Sequence, residues 1–146
     1  MMKTRAGQQR GAALIEFALL TPLLLTMSLM TTELGRALYE YNLVVKSTRD
    51  AVRYLSMQAQ NTHATQAANL IVYGNLAGTG TPLARGLSLA SVQAPVWQTT
   101  GTGPLINTVT VRVSNYQFQP LVNSVFGLTL GPFTFSDITA TMRAPI

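Results

Sequence analysis

The sequence predicts an α+β protein in which a long N-terminal helix carries a small antiparallel β-sheet head. Two observations lead to this prediction. An apolar run over residues 12–32 is long enough to cross a bilayer, and residues 33–60 continue it with a helical repeat of apolar side chains. Residues 61–146 hold glycine-rich loops and alternating, strand-like segments. We therefore divide the chain into a leader (1–11), a transmembrane helix (12–32), an amphipathic extension (33–60) and a head (61–146).

The leader is basic and polar. It contains Lys3, Arg5 and Arg10 but no acid, and so supplies much of the net charge of +5. Positive charge on one flank of an apolar run places that flank in the cytoplasm and the far side of the helix outside it. We therefore interpret the basic character as a membrane-topology signal and not as a nucleic-acid surface.

Residues 12–32 match the roughly 30 Å hydrocarbon core of a bilayer at about 1.5 Å per residue. Glu16 is their only charged residue. Pro22 cannot donate one helical hydrogen bond, which predicts a kink at this point. A secretory signal peptide is the rival explanation. The charge inside the run, and the lack of a clear small-residue cleavage site after it, favour a helix that is retained.

The extension is predicted to be a helix with one apolar seam. Its members recur at steps of four and three residues: Leu34, Leu38, Tyr41, Val45, Thr48, Val52 and Leu55. We expect this seam to pack on the head of the same chain rather than on a second copy of the helix. Arg36 has the spacing to pair with Glu33 and with Glu40 along the helix surface.

The head is predicted to begin with a short helix from Ala64 to Tyr73, which Gly74 ends. Asn61 or Thr62 is its expected N-cap. The loop over residues 74–86 is rich in glycine but lacks the Gly-Lys-Ser/Thr ending of a phosphate-binding loop.

Strands are expected over residues 87–92, 106–113 and 133–142, with a small irregularity near Asp137. The middle strand should turn its valines towards the core: Val109, Val111 and Val113. The expected core residues of the last strand are Phe133, Phe135, Ile138, Ala140 and Met142. Residues 121–126 are expected to form one helical turn. A sheet of three or four antiparallel strands, with one face on the amphipathic helix, satisfies these patterns.

The head lacks the residues that most catalytic and metal sites require. It has one acidic residue, Asp137, one histidine, His63, and no cysteine. A pair of carboxylates, a cysteine-based zinc site and thiol catalysis are therefore excluded there. We predict no enzymatic activity, no cofactor, no metal and no small-molecule substrate, and we interpret the head as a packing or recognition module.

Gly11 and Glu16 form the most informative pair in the chain. A glycine directly before an apolar helix offers a membrane protease an unhindered backbone, so the Gly11–Ala12 bond is a candidate cleavage site. Cleavage would leave a cationic α-amino group on Ala12, about one helical turn from Glu16. Pairing with that amine, in the same or an adjacent subunit, would offset a penalty of roughly 2.5–3.5 kcal/mol for a charge within the bilayer. The alternative is a glutamate that reaches the headgroups.

The residues around this pair resemble a known signal. Residues 10–17, Arg-Gly-Ala-Ala-Leu-Ile-Glu-Phe, are similar to the class III signal of type IV pilins. The chain resembles more closely the TadE-like minor pilins, or pseudopilins, of the Tad (Flp) pilus system. The resemblance extends to residues 33–36, 51–54 and 139–143, in that order and spacing.

The resemblance implies that a prepilin peptidase cleaves between Gly11 and Ala12 and that Glu16 takes part in assembly. It implies a single-pass protein of the bacterial inner membrane, with its N-terminus in the cytoplasm and its head in the periplasm. It also implies incorporation in, or priming of, an extracellular pilus used in adherence and biofilm formation. The implied partners are the peptidase, other pilins and minor pilins, and the Tad inner-membrane assembly platform.

Two alternatives stay open at this point. The first is an uncleaved single-span membrane protein with an extracytoplasmic binding head, and the second is a binding module freed by signal peptidase. One departure from major type IV pilins also matters, because Ala12 replaces the phenylalanine common at their first mature position. The resemblance therefore does not imply N-methylation of this chain.

Overall fold

One helix, α1, runs without interruption from Ala6 to Ser56 and organises the molecule. The computed structural model describes the backbone of residues 6–144 and the side chains of residues 11–144. Most of the leader charge, on Lys3 and Arg5, and the Arg10 side chain thus lie outside the described residues. The helix continues through Pro22, and the kink there stays a prediction.

The head contains a second helix, a single 3-10 turn and seven strands. Helix α2 spans Ala64–Tyr73, and the 3-10 turn spans Leu89–Ser91. The strands are β1 (Val96–Thr100), β2 (Ile106–Val113), β3 (Gln117–Phe118), β4 (Ser124–Val125), β5 (Leu128–Thr129), β6 (Phe133–Thr134) and β7 (Ile138–Ala144).

An antiparallel sheet of three strands, in the order β1-β2-β7, packs against α1 and forms the main part of the core. Its central strand, β2, turns Val109, Val111 and Val113 inwards, and all three are fully buried as predicted. Two small pairs, β3 with β6 and β4 with β5, form a separate part of the head. The predicted α+β layout, a long helix on a small antiparallel sheet, is confirmed.

Helix α2 has the predicted bounds, and its packing explains them. Ala67, Ile71 and Val72 are buried against the core. Gly74 ends the helix in the left-handed conformation, with φ of 73°, and its N–H donates to the Leu70 carbonyl at 3.0 Å. The N-cap is His63, not Asn61 or Thr62, and its side chain is exposed.

The seam of α1 was predicted correctly only in its second half. Thr48, Val52 and Leu55 are buried, whereas Leu34 and Leu38 are more than half exposed. In the first half the face against the head instead carries Glu33, Ala37, Glu40 and Val44. Because two of these positions are acidic, a search for apolar spacing selects the neighbouring face.

Two further predictions in the head were wrong. Residues 87–92 do not form a strand but the 3-10 turn, and only Val92 makes a bridge, to Val113. The first strand of the sheet is β1. Residues 121–126 do not form a helical turn, because Ser124–Val125 pairs with Leu128–Thr129 in a hairpin.

The last predicted strand is two strands, β6 and β7, with a break near Asp137. Of its expected core residues, Ile138 is buried, while Phe135 and Ala140 are half-buried on the core. Phe133 and Met142 are exposed. Phe133 packs on Phe118 of the β3–β6 pair instead, with ring centroids 5.0 Å apart.

Candidate functional site: the N-terminal helix and its junction with the head

The predicted cleavage and pairing residues lie together at the start of α1. Gly11, Ala12 and Glu16 are all exposed. A side chain at Gly11 would meet no atom within 4 Å beyond the helix itself among the described residues. The head therefore does not cover the Gly11–Ala12 bond. Because the α-amino group on Ala12 exists only after cleavage, its pairing with Glu16 stays a prediction.

The first half of α1 presents an apolar surface that its own head leaves largely bare. Within the described residues, α1 is the one helix long and apolar enough to cross a membrane, judged by length and composition. Ten of its large apolar side chains are about half exposed or more: Leu14, Ile15, Phe17, Leu19, Leu20, Leu23, Leu24, Leu25, Met27 and Met30. Such a surface needs lipid or other subunits around it. This indicates a single membrane span.

The polar side chains of this segment are compatible with lipid. Four threonines donate hydrogen bonds of 2.7–2.9 Å to the carbonyl four residues earlier: Thr21, Thr26, Thr31 and Thr32. A hydroxyl bonded in this way brings no unsatisfied donor into the hydrocarbon.

A second constellation, which we call the junction cluster, joins α1 to the head. It consists of Glu33, Arg36, Glu40 and Tyr116. The Arg36 guanidinium donates to Glu33 at 2.7 Å and to Glu40 at 2.9 Å. Both glutamates are buried, with 7% and 8% of their surface exposed. The predicted pairing of Arg36 is thus confirmed, but it lies beneath the head and not on the free helix surface.

Each glutamate of the cluster also holds a group from the head. The Tyr116 hydroxyl donates to Glu40 at 3.0 Å. The backbone N–H groups of Leu121 and Val122 donate to Glu33 at 3.1 and 3.4 Å. These bonds connect residues that are far apart in the sequence, so the cluster fixes where the head sits along α1.

Aromatic packing surrounds these charges. Tyr116 is fully buried and stacks on Phe135, with ring centroids 5.5 Å apart. The Arg36 guanidinium lies 5.4 Å from the centre of the Phe118 ring, within the range of a cation–π contact. Among the described side chains, no buried nitrogen or oxygen is left without a hydrogen-bond partner. The cluster is a satisfied structural network.

Sequence reasoning could not find the head's share of this cluster. The spacing of Glu33, Arg36 and Glu40 gave a signal for helix ion pairs, but the same spacing is common on solvated helices. Nothing local shows that Tyr116 and the amide of Leu121 lie opposite them. Within the described residues, no group of three or more potential ligand side chains could hold a metal ion.

Tyr116 of the junction cluster should make the free energy of unfolding decrease at alkaline pH. Burial raises the pKa of this phenol well above its usual range, the Glu40 hydrogen bond and charge raise it further, and Arg36 opposes them in part. The unfolded chain releases this proton near pH 10. Above that pH the native state binds more protons than the unfolded state, so stability falls as pH rises.

We therefore expect the free energy of unfolding of the native chain to fall by at most about 1.4 kcal/mol per pH unit above roughly pH 10 because of Tyr116. Tyr116→Phe should abolish this fall. Urea unfolding of the full chain in micelles, followed by the emission of Trp97, measures this loss in both proteins. An equal alkaline loss in the variant and the native chain would contradict the assignment to Tyr116.

Comparison with known families matches the N-terminal part of the chain. The family described as TadE-like protein matches residues 11–53, from the predicted scissile glycine through the junction cluster's helical residues. No curated protein and no solved structure matched the chain. TadE-like proteins are a family of pilus components that are not known as enzymes. By this match, residues 11–53 are similar to TadE-like proteins, and the long apolar helix on a small antiparallel sheet gives the chain a pilin-like layout.

Proposed function

We propose that the chain is a minor pilin, or pseudopilin, of a Tad-type pilus. The observation that carries the proposal is the bare apolar helix that follows Gly11 and falls within the family match. A helix of this kind can lie in the membrane before assembly and among neighbouring pilin helices after it. The head, held on the same helix by the junction cluster, is the part that faces partners.

Processing is the first step of the proposed function. A prepilin peptidase cuts the bond between Gly11 and Ala12 and removes residues 1–11. The exposure of Gly11 supports this step, since no part of the described head would need to move for a protease to reach the bond. The orientation follows from the basic leader, with the N-terminus in the cytoplasm and the head in the periplasm of the inner membrane.

Assembly is the second step. Glu16 pairs with the α-amino group of Ala12 in the same or an adjacent subunit and sets the register between helices. Its exposed position on α1 is compatible with a partner from a neighbouring chain. The other pilins and the Tad inner-membrane platform are the proposed partners, and adherence and biofilm formation are the proposed outcome.

Glu16→Ala tests the assembly step. Membrane insertion and cleavage should be retained, because the change removes a charge from the apolar segment. Piliation should fall by about tenfold or more, since a lost contact of about 1.4 kcal/mol already shifts an equilibrium tenfold. The measurement is the count of pili on the native host that carries the variant in place of the native gene.

Thr21→Ala is the matched control, since Thr21 is another exposed polar residue of the same helix segment. It should leave piliation unchanged. Normal piliation of the Glu16→Ala strain would contradict the proposed pairing of Glu16 with the α-amino group of Ala12.

A further inference from the structure

We propose that the head makes a second contact with the membrane, through a lobe that lies in the lipid headgroup region beside α1. This uncharged lobe consists of residues 114–136 and includes the β4–β5 hairpin. The inference rests on the membrane span of α1. It does not depend on cleavage at Gly11 or on assembly into a pilus.

The lobe lies at the end of the head nearest the apolar segment. Its backbone bonds to Glu33 through Leu121 and Val122. An open groove separates the hairpin side from α1, lined by Met30, Thr31, Glu33, Leu34, Thr129, Leu130 and Phe133. Met30 and Thr31 belong to the predicted membrane span, so the lobe reaches the level at which the span ends.

The buried face of α1 extends still further into the span. Thr26 lies on the helix face of Met30 and Glu33 and is 6% exposed, although its neighbours Leu25 and Met27 are about half exposed. At about 1.5 Å per residue, Thr26 is roughly 9 Å below the end of the span at Thr32. The covered face of the helix therefore overlaps the depth of the bilayer interface.

The composition of the lobe suits this depth. Residues 113–136 contain no charged residue and no histidine, and the charges resume at once on either side with Arg112 and Asp137. The lobe exposes four large apolar side chains: Leu121, Phe126, Leu128 and Phe133. A surface of this kind enters the headgroup–acyl boundary without the penalty of desolvating charge. Because the lobe is uncharged and lies next to a membrane span, we infer that lipid covers its exposed apolar side chains.

Phe126 supplies an independent observation at the hairpin tip. It and Gly127 form the two-residue turn between β4 and β5, with φ of 48° and 83°. Asparagine or glycine is the usual residue in such a left-handed position, and a bulky one is strained there. Phe126 is 67% exposed, so it contributes little to the packing of the head. Insertion into lipid would bury this apolar side chain, which the packing of the head leaves exposed.

The chain offers a direct optical test, because Trp97 is its only tryptophan. Trp97 lies in β1 opposite Val109, which is about 17 Å along the chain from the start of the lobe. Trp97→Phe therefore removes the native tryptophan emission, so that a single new tryptophan can be observed alone. The probe position is Phe126→Trp, and Leu20→Trp is the matched control in the exposed part of the span.

Each full-length protein is reconstituted in phosphatidylcholine–phosphatidylglycerol vesicles with brominated acyl chains. We expect at least about twofold quenching of the tryptophans at positions 126 and 20, relative to unbrominated lipid, and little quenching of native Trp97. Leu128→Trp, at another exposed position of the hairpin, repeats the test if Phe126→Trp fails to fold. Quenching at either hairpin position supports the proposal.

Three results would overturn it. If the hairpin tryptophan is open to aqueous acrylamide and unquenched by bromolipid while position 20 is quenched, the span stands and the lobe contact fails. If the hairpin is shielded from acrylamide but unquenched by bromolipid, a protein neighbour covers it instead of lipid. If position 20 is also unquenched, the membrane span fails and the lobe contact fails with it.

Discussion

Gly11→Arg is expected to leave the chain in the membrane as an uncleaved precursor. A long charged side chain next to the scissile bond displaces the backbone in the protease, and a misplacement of about 1 Å can slow such a reaction roughly 100-fold. The folded chain itself has room for the change, since nothing beyond the helix lies within 4 Å of a side chain at this position. Mass spectrometry of the membrane-extracted protein measures the fraction that retains residues 1–11.

Gly35→Arg is the matched control for this variant. Gly35 is also exposed on α1, with the same open space around it, but it lies far from the predicted cleavage site. It should be processed at the native rate. Native processing of the Gly11→Arg chain would show that the cut lies elsewhere.

Arg36→Gln is expected to have the largest effect on folding. Arg36 is the only cation of the junction cluster, and its removal leaves Glu33 and Glu40 as two buried acids without a positive partner. Breaking a buried ion pair in this way costs about 3–5 kcal/mol. We expect a loss of this size in the free energy of unfolding of the head, measured by the Trp97 emission of the full chain in micelles under urea.

Two further variants make this result specific. Arg49→Gln removes an exposed cation from the same helix and should change stability by less than about 0.5 kcal/mol. Glu40→Gln combined with Arg36→Gln should recover part of the loss, because it also removes one of the stranded charges. A change within about 0.5 kcal/mol for Arg36→Gln alone would mean that the cluster does not hold the head on α1.

The features predicted correctly are those set by local pattern. The length of α1, the bounds of α2 with Gly74 at its end, and the inward valines of β2 each follow from residues close in sequence. In these segments the hydrophobic period and the capping residue indicate the same element, and the tertiary contacts are consistent with it.

The errors occur where distant partners decide the structure. The first half of α1 turns Glu33 and Glu40 inwards because Tyr116 and the amides of Leu121 and Val122 meet them there. Alternation over residues 87–92 suits a strand, but β1 takes the edge position beside β2 and leaves that segment a short turn. Neither the inward glutamates of α1 nor the short turn at residues 87–92 could be predicted from residues close in sequence.

The candidate site divides in the same way. Gly11, Ala12 and Glu16 were proposed from the sequence, and the structure adds that all three are exposed. The head's part of the junction cluster and the uncharged lobe beside the span emerge only from the fold. The first set bears on the proposed processing and assembly, and the second bears on how the head packs on α1 and on its proposed contact with lipid.

The N-terminal mass of the native protein, extracted from membranes of a host with an active prepilin peptidase, tests the central claim most directly. A chain that begins at Ala12 is the predicted result, since cleavage after Gly11 creates the amine that Glu16 is proposed to bind. A chain that begins at Met1 would contradict processing and favour an uncleaved membrane protein. A chain that begins beyond Met27 would contradict the retained helix itself and favour release by signal peptidase.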